Sequence, residues 1–270
     1  MSAMELGGRI KIIQRITVVV FFLWDAVSAY GGLGLTIAYD NSPYMEGVTA
    51  DWGFSCLVTA GRKKILFDTG KDGTILFSNA SKLKIDLKAI NAIVISHLHE
   101  DHTGGLFPVL GIQSNATVFL PEAMPEMQQQ FQALGIKNLI VEKPMQIGKG
   151  LFLTGSMGKG IREQALIINT PPGLIIIAGC SHPGIINIIS RSKELLHRPV
   201  YLVIGGFHSM PGTTEGMFKI IQQFKSLGVG KVGPAHCTDE KVKAFFKAAY
   251  GKNYITMGAG KILNFSVGKK

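Results

Sequence analysis

A chain of 270 residues with 46% hydrophobic side chains can bury a sizeable core, which excludes a disordered or fibrous protein. Its formal net charge of +10 favours anionic partners through long-range attraction and says nothing about fold. The lysines of the second half (Lys219, Lys225, Lys231, Lys241, Lys243, Lys247, Lys252) are scattered, with no Arg-rich run and no interleaved aromatics, so they read as a solvated basic face and argue against nucleic acid.

Residues 1–29 differ from the rest. Arg9, Lys11 and Arg15 precede the apolar run Ile16–Trp24, and Val27, Ser28 and Ala29 offer small residues for cleavage, which is the order of a secretory signal. The run is too short to span a bilayer and Asp25 ends it, so no transmembrane helix is expected in a mature chain beginning near Tyr30. On this reading residues 30–270 form one exported, periplasmic domain. The competing reading, an ordinary first strand or an upstream start codon, leaves the protein in the cytoplasm.

From Leu35 the alternation predicts strands at 35–39, 54–58 and 64–67. The long connection carrying Asp40, Asn41, Glu46, Asp51 and Trp52 is expected to wall a site. Asp72 caps a helix to Leu83, and Asp86 opens a short turn. Further strands are predicted at 93–95, 117–120, 151–153, 165–169, 174–178 and 200–204. Helices are predicted at 121–134 with a leading Pro121, at 183–197, at 213–227, and at 238–250 capped by Thr238. Strands followed by helices recur in both halves, which predicts an α/β fold with two sheets packed face to face and helices outside, a four-layer αββα sandwich.

The densest chemistry follows the strand Ile93-Val94-Ile95: Ser96-His97-Leu98-His99-Glu100-Asp101-His102-Thr103-Gly104-Gly105. Side chains alternate along a strand and a turn then reverses the chain, so His97 and His99 can converge on one cation while Asp101 and His102 face a second. Imidazole nitrogen with a single carboxylate suits zinc, or iron and manganese at a more oxygen-rich site. Cys56, Cys180 and Cys237 form no even disulfide framework, and two of them neighbour the histidines His182 and His236. Reduced thiols near a metal are expected.

The H-x-H-x-D-H pattern with Thr103-Gly104-Gly105 behind it resembles the metallo-β-lactamase superfamily. Supporting matches are Ile65-Leu66-Phe67-Asp68-Thr69-Gly70, Gly179-Cys180-Ser181-His182 and Pro234-Ala235-His236, so the resemblance runs from about Leu35 to Phe265. It implies the same αββα fold, two divalent metal ions, a first site holding His97 and His99, and a second holding Asp101, His102 and His236. Relatives place another histidine on an intermediate strand, yet none lies between His102 and His182. His182 is therefore expected to complete the first site, with Cys180 where relatives carry a bridging aspartate; alternatively Cys180 is a small buried residue. Asp68 would sit behind a ligand imidazole and fix its tautomer.

Two such cations lower the pKa of bound water from about 15.7 toward about 7, supplying hydroxide at neutral pH. Asp101 would orient it and His208, on the Gly205-Gly206-Phe207-His208 turn, would touch an anionic substrate or protonate a leaving group. His197, at a predicted helix end, reads as a surface residue. The motifs around Asp51-Trp52-Gly53-Phe54-Ser55, Cys180, Phe207 and His236 are similar to the branch that includes dihydropterin-methyl ribofuranosylaminobenzene-phosphate synthase. That branch shows an acid-Glu-x-Ala run; here Arg162-Glu163-Gln164-Ala165 keeps Glu163 and loses the acid before it. The leading expectation is a dinuclear hydrolase acting on a small anionic substrate. The alternatives are a pterin-type transferase, with Trp52, Phe54, Phe207 and Glu163 around a flat heterocycle, and a non-catalytic metal-binding module. A nuclease is disfavoured because the stretch from His182 to His236 has no room for the domain that RNA-processing relatives insert, and the missing intermediate histidine argues against β-lactamase activity.

Overall fold

A computed structural model describes residues 32–208 and 210–265; the expected signal segment, 1–29, lies outside them. The first half runs β1 (Leu33–Tyr39), β2 (Ser55–Ala60), β3 (Lys63–Phe67), α1 (Gly73–Lys82), β4 (Ala92–Val94), α2 (Glu100–Thr103), α3 (Leu106–Ile112), β5 (Thr117–Leu120), α4 (Pro125–Ala133) and β6 (Asn138–Ile140). The second runs β7 (Met145–Gly148), β8 (Leu151–Leu153), β9 (Leu166–Thr170), β10 (Gly173–Ala178), α5 (Ile185–Leu196), β11 (Val200–Gly206), α6 (Thr214–Ser226), β12 (Lys231–Ala235), α7 (Glu240–Tyr250) and β13 (Ile262–Phe265).

Among the described residues one sheet has the order β13-β1-β2-β3-β4-β5-β6 and the other β12-β11-β10-β9-β8-β7. Each half starts as an antiparallel meander and turns parallel where helices become the connections, from β3 to β6 and from β10 to β12. The last strand returns to the first sheet, pairing antiparallel with β1 from Leu33 opposite Phe265 to Thr36 opposite Ile262.

The run Leu174-Ile175-Ile176-Ile177-Ala178 shows why the layers form. Ile175 and Ile177 point between the sheets, beside Val58, Phe67 and Ile204, while Leu174, Ile176 and Ala178 point outward under Ile188 of α5 and Phe224 of α6. A strand covered on both faces needs a continuous apolar run rather than alternation. The first sheet is sandwiched in the same way, Phe67 and Val94 facing inward and Leu66 and Ile93 lying under Leu76 of α1, Val109 of α3 and Phe131 of α4. These are the expected αββα layers. Each fully buried Ile or Phe contributes about 1.5–3 kcal/mol relative to exposure.

Some local expectations need correction. The helix predicted from Pro121 begins at Pro125, a proline at its first turn where no N–H bond is lost. α7 is capped by Asp239, not Thr238, whose hydroxyl instead accepts the Phe207 amide at 2.9 Å and donates to the Ala235 carbonyl at 2.7 Å. The metal motif itself ends in a helical turn, α2, and α3 follows directly after Gly104 and Gly105, two short helices that carry no legible pattern in the sequence. No helix of the described residues is long and apolar enough to cross a membrane.

Candidate metal centre

In an open α/β sheet the carboxyl ends of parallel strands open onto a crevice, and every candidate ligand is delivered there. Asp68 follows β3, His97 to His102 follow β4, Cys180 and His182 follow β10, His208 follows β11 and His236 follows β12. Three of these turns are left-handed: φ is 56° at Asp68, 67° at Ser181 and 46° at His236. That conformation costs a non-glycine residue roughly 1–2 kcal/mol and turns its side chain sharply out of the strand line.

The side chains form two groups that share one sulfur. Asp101, His102, Cys180 and His236 each place a ligand atom within 4.8 Å of one another, and so do His97, Cys180 and His182. In the inner group Nε2 of His102 lies 3.2 Å from Nε2 of His236 and 3.3 Å from Sγ of Cys180, with Asp101 Oδ2 at 3.4 and 3.1 Å from the two imidazoles. In the outer group Nε2 of His97 lies 3.3 Å from Nε2 of His182; His99, expected in the same site, is exposed and stands in neither group, with its Nδ1 3.1 Å from Nε2 of His97. His102 and His236 are buried and His182 is half-buried.

The rear nitrogens decide what these faces offer. Nδ1 of His102 is 2.7 Å from Asp68 Oδ2, an acceptor only, so it carries the proton. Ser96 donates its amide (2.6 Å) and hydroxyl (2.7 Å) to the same carboxylate, which leaves the serine oxygen to accept from Nδ1 of His97 at 2.9 Å. Behind His236, Asn41 Oδ1 faces Nδ1 at 2.9 Å and also takes the Gly53 amide, while Asn41 Nδ2 donates to the His236 carbonyl. Each of these imidazoles, its tautomer assigned from its partners, therefore turns Nε2 inward, a lone pair once that nitrogen is free of a proton. Lone pairs, a carboxylate and a sulfur facing one another within 3.4 Å make an acceptor cluster that a divalent cation satisfies, with the nitrogen, oxygen and sulfur set that suits zinc.

Without a cation the cluster manages its charge unevenly. Burial works against a charged His102, but the Asp68 and Asp101 carboxylates outweigh it and push its pKa up to about 10. Burial and the surrounding imidazoles hold His97 far below its ordinary value and take His182 down to about 4. Burial would raise Asp101, yet His102 and His236 hold it well below the carboxylate range. The Cys237 thiol and then burial push Cys180 upward, a direction that a coordinated cation reverses.

The other expected site residues divide. Trp52 is 52% exposed with its ring 5.2 Å from that of His236, at the mouth of the inner group. His208 is exposed, stands in neither ligand group, and lies 5.0 Å from His182 ring to ring, with its amide donating to the Cys180 carbonyl at 2.9 Å. His197 is an exposed left-handed cap of α5. Two expectations are corrected. Phe207 packs its ring against Phe224 and Phe246 beneath the helices, away from any substrate wall. Glu163 is fully buried and receives the amides of Gly179 (3.1 Å), Ser181 (2.9 Å) and His182 (2.8 Å), so it shapes the outer ligand loop instead of touching substrate.

The supporting residues escaped the sequence. Ser96 could have been suspected from its place between the strand and His97, whereas Asn41 gives no local sign of a partner 195 positions away. Gly179 is needed where it stands, since a Cβ there would collide with the Ser96 side chain and crowd Nδ1 of His97.

Residues 50–179 match the Metallo-beta-lactamase superfamily. The 7,8-dihydropterin-6-methyl-4-(beta-D-ribofuranosyl)-aminobenzene-5'-phosphate synthase of Methanocaldococcus jannaschii is 29% identical, the match covering 85% of this chain and 95% of that one. Among solved structures, Tm1679, a metal-dependent hydrolase of the beta-lactamase superfamily, is 30% identical with a TM-score of 0.72, covering 87% of this chain and 99% of that one. YhfI from Bacillus subtilis shares the fold at 14% identity, TM-score 0.63, with 87% and 100% covered. Together with the layered sheets and the ligand loops at their strand ends, these likenesses establish that the chain belongs to the metallo-beta-lactamase superfamily.

Proposed function

We propose that this protein is a dinuclear metal-dependent hydrolase acting on a small anionic substrate. The observation that carries the reading is the pair of ligand groups joined at Cys180, in which inward-facing imidazole nitrogens converge with a carboxylate and a sulfur, His102 having to give up its inner proton to a cation. Two divalent cations bound there, zinc first and iron or manganese as alternatives, would make water a nucleophile near neutral pH and polarise a carbonyl or phosphoryl oxygen. Asp101 turns Oδ2 to His102 and His236, which leaves Oδ1 to accept a hydrogen bond from the attacking water and orient it. His208, exposed beside His182, would give a proton to the leaving group. Asp68 keeps the proton of His102 on Nδ1 throughout, and by way of Ser96 does the same for His97.

The test is turnover of a panel of esters, lactones and phosphodiesters by the metal-loaded protein. His208→Ala should retain its metal content and lose activity by roughly 10²–10⁴-fold, the range for a general acid. Asp101→Ala should lose activity together with the inner metal. If His208→Ala strips a metal, His208 is a ligand and the outer set must be redrawn. No turnover on the whole panel rejects the hydrolase.

A second reading, a transferase, is favoured by the identity to the synthase over nearly its whole length and by exposed Trp52 at the mouth of the inner group. Reaction in ¹⁸O-labelled water separates the two. A hydrolase places the label in product, while a transferase leaves it in solvent.

A further inference from the structure

A cleft of about 530 Å³, lined by none of the candidate metal ligands, has walls of opposite charge. Glu122 follows β5 and Glu142 follows β6 on one wall; Lys159 and Arg162 stand on the other, with Pro121 and Ile140 between. β5 and β6 continue the same sheet edge whose β4 delivers His97 and His99, so the cleft opens along the edge that holds the ligands.

The backbone and the arginine of the cationic wall are held in place. Met157 and Glu163 exchange backbone hydrogen bonds at 2.8 and 3.0 Å, closing the segment as a hairpin whose turn needs Gly158, at φ 92° and with its Cα against the Ile161 carbonyl. Nε of Arg162 donates to Ser156 Oγ at 2.8 Å, which anchors the near edge of the guanidinium and leaves its outer nitrogens to the cleft. The hairpin is tied to the centre at both its ends: Gly158 packs near Pro183, next to His182, and Glu163 holds the amides of the Cys180–His182 loop. Among the described residues no ion pair joins either glutamate to Lys159 or Arg162. Two cations and two carboxylates that face one space without neutralising one another offer complementary ends to a ligand bearing both charges.

We propose that this cleft is a subsite for a zwitterionic group, with a phosphate or carboxylate taken by Lys159 and Arg162 and a protonated amine facing Glu122 and Glu142. Arg162 supplies a planar fork for the anion and Lys159 a point charge. The volume falls within the range of small-molecule sites. Its role as the seat of the substrate's charged tail rests on the hydrolase reading; the binding itself does not.

The experiment is calorimetric titration of the metal-loaded full chain with O-phosphoethanolamine and with β-alanine, alongside inorganic phosphate and ethanolamine alone. Lys159→Gln/Arg162→Gln should weaken the zwitterion by about tenfold or more, near 1.4 kcal/mol, and Glu122→Gln/Glu142→Gln should do the same. Inorganic phosphate should respond only to the first pair. Binding of O-phosphoethanolamine but not β-alanine identifies the anion as phosphate, and the converse identifies carboxylate. Unchanged zwitterion affinity in both pairs, or no zwitterion binding at millimolar concentration, overturns the proposal. Should the Arg162 pair fold poorly, Lys159→Gln alone, at an exposed position, carries the same test. Because calorimetry reads binding without turnover, a protein that binds the zwitterion yet hydrolyses nothing rejects the reaction and keeps the subsite.

Discussion

The two ligand groups are built to different standards. Behind the inner one, His102 and His236 are both buried and backed, by Asp68 at 2.7 Å and by Asn41 at 2.9 Å. Behind the outer one only His97 is backed, through Ser96; among the described residues Nδ1 of His182 has no hydrogen-bond partner. Backed imidazoles are fixed in tautomer and orientation and bind a cation with less reorganisation. The inner group should therefore hold its cation tightly, while the outer one, half-open to solvent at His182, should exchange first. Stepwise chelation followed by metal analysis would show this order, and simultaneous loss of both cations would break the comparison.

The largest expected effect is on pH dependence. In a Cys180→Ala background, which removes the shared thiol, an inner cation must displace the proton of His102. Its affinity should climb about tenfold per pH unit up to the His102 pKa of about 10. His182, already neutral above about 4, gives the outer group a flat profile at neutral pH. The cation-free fold responds in the opposite sense, because a histidine raised above its ordinary value stabilises it fully below that value and ceases to do so as pH rises through about 10. Competition titrations against a chromophoric chelator from pH 6 to 9 decide, and two parallel profiles would contradict the assignment.

Next in size, Asp68→Asn should weaken both groups by roughly 10–100-fold, since this one carboxylate holds His102 directly and His97 through Ser96. Asn41→Ala should cost about tenfold and only in the inner group, with the metal content of the outer group as its control. The smallest effect is expected for Glu163→Gln. The amide keeps one acceptor oxygen for three backbone donors, costing about 1–3 kcal/mol of loop stability and a several-fold loss of outer affinity, read by denaturant melts and metal titration.

The uneven construction also explains what was legible in the sequence. His97, His99, Asp101 and His102 stand together because one strand and one helical turn deliver them, so a local pattern suffices. The apolar run from Leu174 to Ala178 announced its strand because that signal, too, is local. Asn41 and Ser96 are ordinary polar residues whose significance lies in partners that only the folded chain supplies. Glu163 and Phe207 lie in informative motifs, but a motif does not tell which face of the loop a side chain takes; Glu163 turned to backbone amides and Phe207 to the helices. Short β6 and β13, partly exposed along the sheet, carry too little apolar alternation to stand out.

The left-handed turns at Asp68, Ser181 and His236 have a consequence for how such a protein can adapt to heat. Glycine would relieve the backbone of each turn, which makes that exchange a route to stability where the side chain is dispensable. Here it is closed at two positions, because Asp68 and His236 are needed for their side chains. Ser181 is the one where relief is conceivable, at the expense of the hydrogen bond from its hydroxyl to the Gly206 carbonyl. A lineage moving to higher temperature would have to gain its stability in the apolar layers and helix caps, leaving the strand ends almost frozen while the rest of the chain diverges.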